Sequence, residues 1–114
     1  MVKLIALLKR KPELTKEQFA ERWLNEHVKL SSQIPGLLEY RCNVAKDVQD
    51  SPGEPLFDGT AELWFESVEV MEAAFETDLA KRAGDDADDF CSQRIHIYTD
   101  ETLVVENGAF KGDR

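Results

Sequence analysis

The 114-residue chain contains only two cysteines and two histidines. Cys42 and Cys91 lie far apart and form no CxxC pair, which leaves neither a redox motif nor a cysteine-based zinc site. Cys42 alternates with Tyr40 and Val44, and Cys91 follows Phe90, so both read as buried, reduced thiols, and a cytoplasmic location is expected. No stretch approaches the roughly 20 consecutive apolar residues of a membrane span. The opening Met1-Val2-Lys3-Leu4-Ile5-Ala6-Leu7-Leu8 is short, ends in Lys9-Arg10-Lys11 and has no small-residue cleavage site, so it reads as a strand rather than a signal peptide. Glycine-rich phosphate loops, dinucleotide fingerprints and Ser-His-Asp sets are missing, which removes phosphoryl and hydride transfer from consideration. Basic residues are also scarce, and the net charge is −9. Residues 1–57 carry nine Lys/Arg against eight Asp/Glu, whereas residues 58–114 carry five against fifteen. Such a surface repels phosphate backbones and anionic bilayers, so neither nucleic acid nor membrane is an expected partner.

What is present suffices for one folded domain. Hydrophobic content of 42% and charged content of 32% are ordinary for a globular protein, and the length leaves no room for two independent cores. Residues 1–106 form the expected domain, and residues 107–114 read as a flexible C-terminal tail.

Residues 2–9 alternate as a strand, with Val2, Leu4, Ala6 and Leu8 on one side and Ile5 and Leu7 on the other, so both faces need covering. A helix is expected over residues 16–32, with Thr15 as N-cap and Gln18 completing a capping box. Its apolar stripe is Phe19, Ala20, Trp23, Leu24 and Val28, and His27 falls on that stripe. Pro35-Gly36 turns the chain into a strand over residues 37–46. The breaker-rich Ser51-Pro52-Gly53-Glu54-Pro55 precedes a third strand over residues 59–65. A helix starts after Ser67, and a second helical stretch over 78–92 is interrupted near Gly84. A last strand over 95–105 bends near Asp100-Glu101.

The resulting order is β-α-β-β-α-β, the α+β ferredoxin-like split pattern with both helices on one face of a four-stranded antiparallel sheet. Because strand 1 is apolar on its second face too, the simplest completion is a homodimer that packs sheet on sheet.

Few residues carry chemistry. His27, beside Trp23 on the inner face of a helix, is either a core histidine bonded to a backbone carbonyl or an acid/base group. Tyr40 is either an amphipathic core residue or a donor to a carbonyl in a pocket. Trp23, Trp64 and Phe65 supply aromatic walls for such a pocket or simply core. Asp58 either starts strand 3 together with Gly59 or faces the pocket. Arg41 is expected in solvent, and His96 is expected opposite Ile95 and Ile97, reaching the dimer seam. The run Gly84-Asp85-Asp86-Ala87-Asp88-Asp89-Phe90 lacks the spacing of a calcium loop and reads as a solvated turn with Phe90 packed inward, so no metal site is expected.

Taken together, Trp23-x3-His27-x2-Leu30, Pro35-Gly36-Leu37-x2-Tyr40, Asp58-Gly59-x-Ala61-Glu62-Leu63-Trp64-Phe65 and Asp89-Phe90 resemble the EthD-type family of dimeric α+β barrels over residues 3–105. The resemblance implies a ferredoxin-like protomer, a homodimer, a pocket between sheet and helices, and work without metal or organic cofactor. It also aligns the family's helix-1 histidine with His27 and its tyrosine after Pro-Gly-Leu with Tyr40. The methylmuconolactone methylisomerase branch of the family carries a reactive cysteine at the position of Leu63. This chain departs from that branch there and has no histidine in the loop before strand 3, so the expected activity rests on one histidine without a metal: cofactor-independent isomerase or lyase chemistry next to a carbonyl. His27 and Tyr40 would carry it, and the substrate would be a small hydrophobic aromatic or lactone metabolite. A non-catalytic dimeric binding or accessory protein, or a cofactor-free monooxygenase, are the alternatives.

Overall fold

The computed structural model describes residues 1–48 and 53–112. The expected turn residues Ser51 and Pro52, and the last two residues of the tail, lie outside the described residues. The elements run β1 (Val2–Arg10), α1 (Lys16–Arg22), a π-helical turn (Trp23–His27), α2 (Val28–Ser31), β2 (Glu39–Val44), β3 (Gly59–Phe65), α3 (Val68–Phe75), α4 (Asp78–Phe90) and β4 (Cys91–Thr99). A small hairpin of β5 (Val105–Glu106) and β6 (Ala109–Phe110) follows.

The main sheet has four antiparallel strands in the order β2-β3-β1-β4, the ferredoxin-like arrangement read from the sequence. The central strands are the apolar ones. In β1, Val2, Leu4, Ala6 and Leu8 are buried under the helices, where they meet Phe19, Trp23, Ala83, Ala87 and Phe90. In β3, Ala61, Leu63 and Phe65 complete that layer.

Local chemistry explains the helix ends. The Thr15 hydroxyl accepts from the Gln18 backbone N–H, and the Gln18 side chain accepts from the Thr15 N–H, closing the capping box. At α3 and α4 the Ser67 and Thr77 hydroxyls accept from the Val70 and Ala80 backbone N–H as simple N-caps, without the reciprocal bond.

Three local expectations are corrected. Gly84 does not interrupt α4, because Ala80, Ala83, Ala87 and Phe90 form one continuous buried stripe whose packing outweighs the roughly 1 kcal/mol helix penalty of a glycine. The acidic run Asp85–Asp89 is consequently the last part of this helix rather than a turn. Carboxylates there oppose the helix dipole. Arg22 offsets this through Asp86 and Asp89, and Arg94 through Asp88. Finally, β4 starts earlier and ends earlier than expected, at Cys91 and Thr99. Beyond it, the turn at Asn107 and Gly108, both at positive φ, forms the β5–β6 hairpin.

Among the described residues, no helix covers the far face of the sheet. Register places Ile5, Leu7, Ile95 and Ile97 together on it, with Trp64, Lys3, Glu62 and Arg41 alongside.

Candidate functional site

The helix that follows β1 does not stay α-helical. At Trp23–His27 it widens into a π turn, a feature that recurs at functional sites because it re-aims side chains without ending the helix. Both inward residues of the turn are large. The Trp23 ring is fully buried and lies against Gly59, where an added Cβ would stand 2.5 Å from its Cζ3. Among the described residues its buried Nε1–H has no well-aligned hydrogen-bond acceptor.

His27 is also buried, at 8% exposure, and its ring turns toward α4. Its Nδ1 is 2.8 Å from Asp86 Oδ2, and its edge meets the Phe90 ring at a centroid distance of 5.2 Å. Arg22, one helical turn earlier, grips the same carboxylate through both terminal nitrogens, at 2.7 and 3.2 Å. This clamp holds the Asp86 carboxyl below the usual carboxylate range. An ionised Asp86 can only accept, so Nδ1 carries the proton and Nε2 keeps the lone pair. Burial lowers the His27 pKa below its ordinary value, with Asp86 working in the opposite direction and the Arg22 and Arg94 charges adding to the lowering. The ring is therefore neutral near pH 7 and basic at Nε2.

Tyr40, on β2, faces the same side of the sheet, opposite Leu63. Its hydroxyl is 2.9 Å from Ser31 Oγ, which in turn donates to the His27 carbonyl at 3.2 Å. Burial raises the phenol pKa well above its ordinary value, so Tyr40 stays protonated. The structure links Tyr40 to the backbone of His27 through Ser31, and it sends the His27 ring the other way, toward Asp86.

The remaining expected pocket residues separate. Phe65 is fully buried and packs edge-on against Phe75. Trp64, its neighbour in the strand, necessarily points to the opposite face. There it is flanked by the Lys3 ammonium at 4.8 Å and the Arg41 guanidinium at 5.3 Å, away from Trp23 and His27. Asp58 accepts from the Arg10 backbone N–H at 2.9 Å and from Arg10 Nε at 3.2 Å, closing the end of the sheet. Arg41 is exposed and paired with Glu39.

His96 lies opposite Ile95 and Ile97, as its alternation requires, but on the other side from the one expected. It pairs with Ala6, a residue of the helix-covered face, so it faces the helices rather than the bare face of the sheet. There it lines a cleft of about 630 Å³ with Val68, Met71 and Phe75 of α3 and Tyr98 of β4. His27 is not among the residues lining this cleft. Neither Asp86, the partner of His27 59 residues away, nor the cleft was legible in the sequence, because each depends on how separate elements pack together.

Comparison with known proteins bears on the fold. The EthD domain matches residues 11–94. The chain belongs to the EthD family. A crystal structure of an EthD-family protein from Bacillus halodurans is 34% identical, covers 90% of this chain and 99% of its own, and superposes with a TM-score of 0.75. A dimeric ferredoxin-like protein of unknown function from Thermobifida fusca shares the fold at 17% identity, covering 86% of this chain and 88% of its own, with a TM-score of 0.65. SnoaB, a cofactor-independent oxygenase from Streptomyces nogalater, shares it at 9% identity, covering 92% of this chain and 97% of its own, with a TM-score of 0.66. No curated protein matches the sequence.

Proposed function

We propose that this EthD-family protein is a cofactor-independent enzyme that moves a proton next to a carbonyl of a small apolar aromatic or lactone metabolite. The observation that carries this reading is the Asp86–His27 contact at 2.8 Å with Asp86 clamped by Arg22. A carboxylate that fixes Nδ1–H leaves Nε2 as an oriented base, and the same carboxylate stabilises the imidazolium once the proton has moved.

In the step proposed, the substrate C–H bond breaks, the proton forms a new N–H bond at His27 Nε2, and the electron pair shifts onto the carbonyl oxygen as an enolate. Return of the proton at another carbon gives isomerisation; expulsion of a neighbouring leaving group gives a lyase outcome. Tyr40, held protonated by burial, is the proposed donor to the carbonyl oxygen, its O–H turning from Ser31 to the substrate. Trp23 shapes the wall beside His27, with Phe65 deeper in the core. A second copy of the chain is the proposed cover for Ile5, Leu7, Ile95 and Ile97.

Proton exchange is the direct test. In D2O, the wild-type protein should accelerate α-hydrogen exchange into members of a panel of aryl ketones and lactones, followed by NMR. His27→Gln should remove that acceleration while its circular dichroism stays native. An exchange rate unchanged in His27→Gln would overturn the assignment.

One observation favours a second reading, that of a binding or accessory protein. The cleft of about 630 Å³ is lined by His96 and Tyr98 and not by His27, so a ligand could be held there away from the Asp86–His27 pair.

A further inference from the structure

Arg94 and His96 occupy positions where a core strand would carry apolar side chains. They pair with Leu8 and Ala6, both buried beneath the helices, and so point to the same side of the sheet. What they line explains the exception. Sharing Phe75 and His96 with the cleft between α3 and β4 is an apolar recess of about 130 Å³, lined also by Leu4, Ile34, Leu63 and Ala80 and by Arg94. On the outer side Arg94 and His96 line a polar depression of about 380 Å³ with Asp88, Ser92 and Gln93. His96 lines the cleft, the recess and the depression alike.

The electrostatics single out this point. The second half of the chain carries five basic residues against fifteen acidic ones, yet a guanidinium and an imidazole meet at the edge of an apolar recess. Among the described residues the ion-pair partner of Arg94 is Asp88, bonded through Nε at 2.9 Å. Asp88 is 64% exposed, so water screens much of that pair. The terminal nitrogens of Arg94 extend past Gly84, which presents no side chain to them; a Cβ built there would stand 3.8 Å from Nη2. A guanidinium presents forked donors that match a carboxylate, and an adjacent histidine adds a further donor. Glu72 and Glu76 border the cleft on the α3 side, and both are exposed to solvent.

The size of the recess suits one ring. An apolar cavity of about 150 Å³ in another protein holds benzene, close to the volume found here. We propose that the α3–α4–β4 cleft binds an arylalkyl monocarboxylate, its ring in the recess lined by Leu4, Ile34, Leu63 and Phe75 and its carboxylate on Arg94 and His96. The recess shares Leu63, the strand partner of Tyr40, with the chemistry proposed above, but the binding proposed here requires proton transfer by neither His27 nor Tyr40.

The test compares 3-phenylpropionate with its neutral counterpart 3-phenylpropanamide by titration of backbone amide NMR signals of the whole chain. Saturable shifts should concentrate on β4, α3 and the Gly84 region of α4, with the acid binding about tenfold or more tightly than the amide. Arg94→Gln should abolish that preference while leaving amide binding within about twofold of wild type. His96→Gln should weaken the acid alone, and it decides the matter with the wild-type ratio should Arg94→Gln fail to fold. Equal affinity for acid and amide, shifts that map elsewhere, or no saturation by about 10 mM would overturn the proposal. Since the readout is binding and not turnover, its failure would leave the reading of His27 standing.

Discussion

Asp86 Oδ2 lies 2.8 Å from His27 Nδ1 and, on its other side, 3.2 Å from Arg22 Nη1, so one carboxylate oxygen joins a buried imidazole to a guanidinium. The three residues come from two helices, α1 with its π turn and α4, that the sheet order brings side by side. Burial and Asp86 pull the His27 pKa in opposite directions, burial being the stronger. Asp86→Asn should therefore lower the His27 pKa further, since burial and the Arg22 charge then act without a counterweight. Titration of the imidazole signals by NMR reads this directly, and an upward movement would contradict the arrangement. The same substitution should destabilise the fold by about 1–3 kcal/mol, because Arg22 loses its two-pronged partner.

Stability should depend on pH through the same residue. The folded-state pKa of His27 lies below its ordinary value near 6.5, so the unfolded chain takes up the proton first as pH falls. Its contribution is complete above about pH 6.5 and is lost as pH descends through the folded-state value. Asp86, held low by Arg22, and Glu62, held low by Lys3, act in the same direction at more acid pH. Urea midpoints measured from pH 8 to 5 should fall below about 6.5 in the wild type, and less steeply in His27→Gln. An identical slope in the two proteins would assign the effect elsewhere.

Gly59 should tolerate no side chain. A Cβ there meets Trp23 Cζ3 at 2.5 Å and the Asn43 carbonyl oxygen at 2.8 Å, one a ring packed in the core and the other backbone of the paired strand. Neither can withdraw, so Gly59→Ala should destabilise by about 1–3 kcal/mol, an overpacking effect. Thermal melts will show it, and because Trp23 must move, its fluorescence should change as well.

The bare face of the sheet predicts self-association. Ile97 is 46% exposed and shares that face with Ile5, Leu7 and Ile95. A charge in the middle of a packed apolar interface is strongly unfavourable. Sedimentation at micromolar concentration should give a dimer for the wild type and a monomer for Ile97→Lys. A wild-type monomer, or a variant that stays dimeric, would show that this face is not the seam.

Much of the architecture was legible from residue order. Alternation in β1, the Thr15 capping box, Pro35-Gly36 and Gly59 set the elements in sequence, and the β-α-β-β-α-β order then leaves few sheet topologies. The apolar stripe also placed His27 inward, and that is where it lies. Gly84 stays helical against its local propensity, which is a weak guide once an alanine stripe packs against a sheet.

The site was less legible. Trp64 and Phe65 are neighbours in one strand, so they could never line one pocket, and the alternation rule alone separates them. Alternation also put His96 opposite Ile95 and Ile97, yet it says which residues share a face and not which face the helices cover. In an edge strand beside an open cleft, the helix side carries Arg94, His96 and Tyr98 while the isoleucines lie outward, the reverse of what hydrophobicity suggests. The amino-acid sequence by itself determined the elements, their order and the inward turn of His27, because periodicity and capping are local properties. The partnership of His27 with Asp86, the placing of Arg94 and His96 on one recess, and the exile of Trp64 to the bare face were decided by tertiary structure. Each depends on register and helix packing between segments distant in the chain, and that information resides in the whole set of long-range contacts.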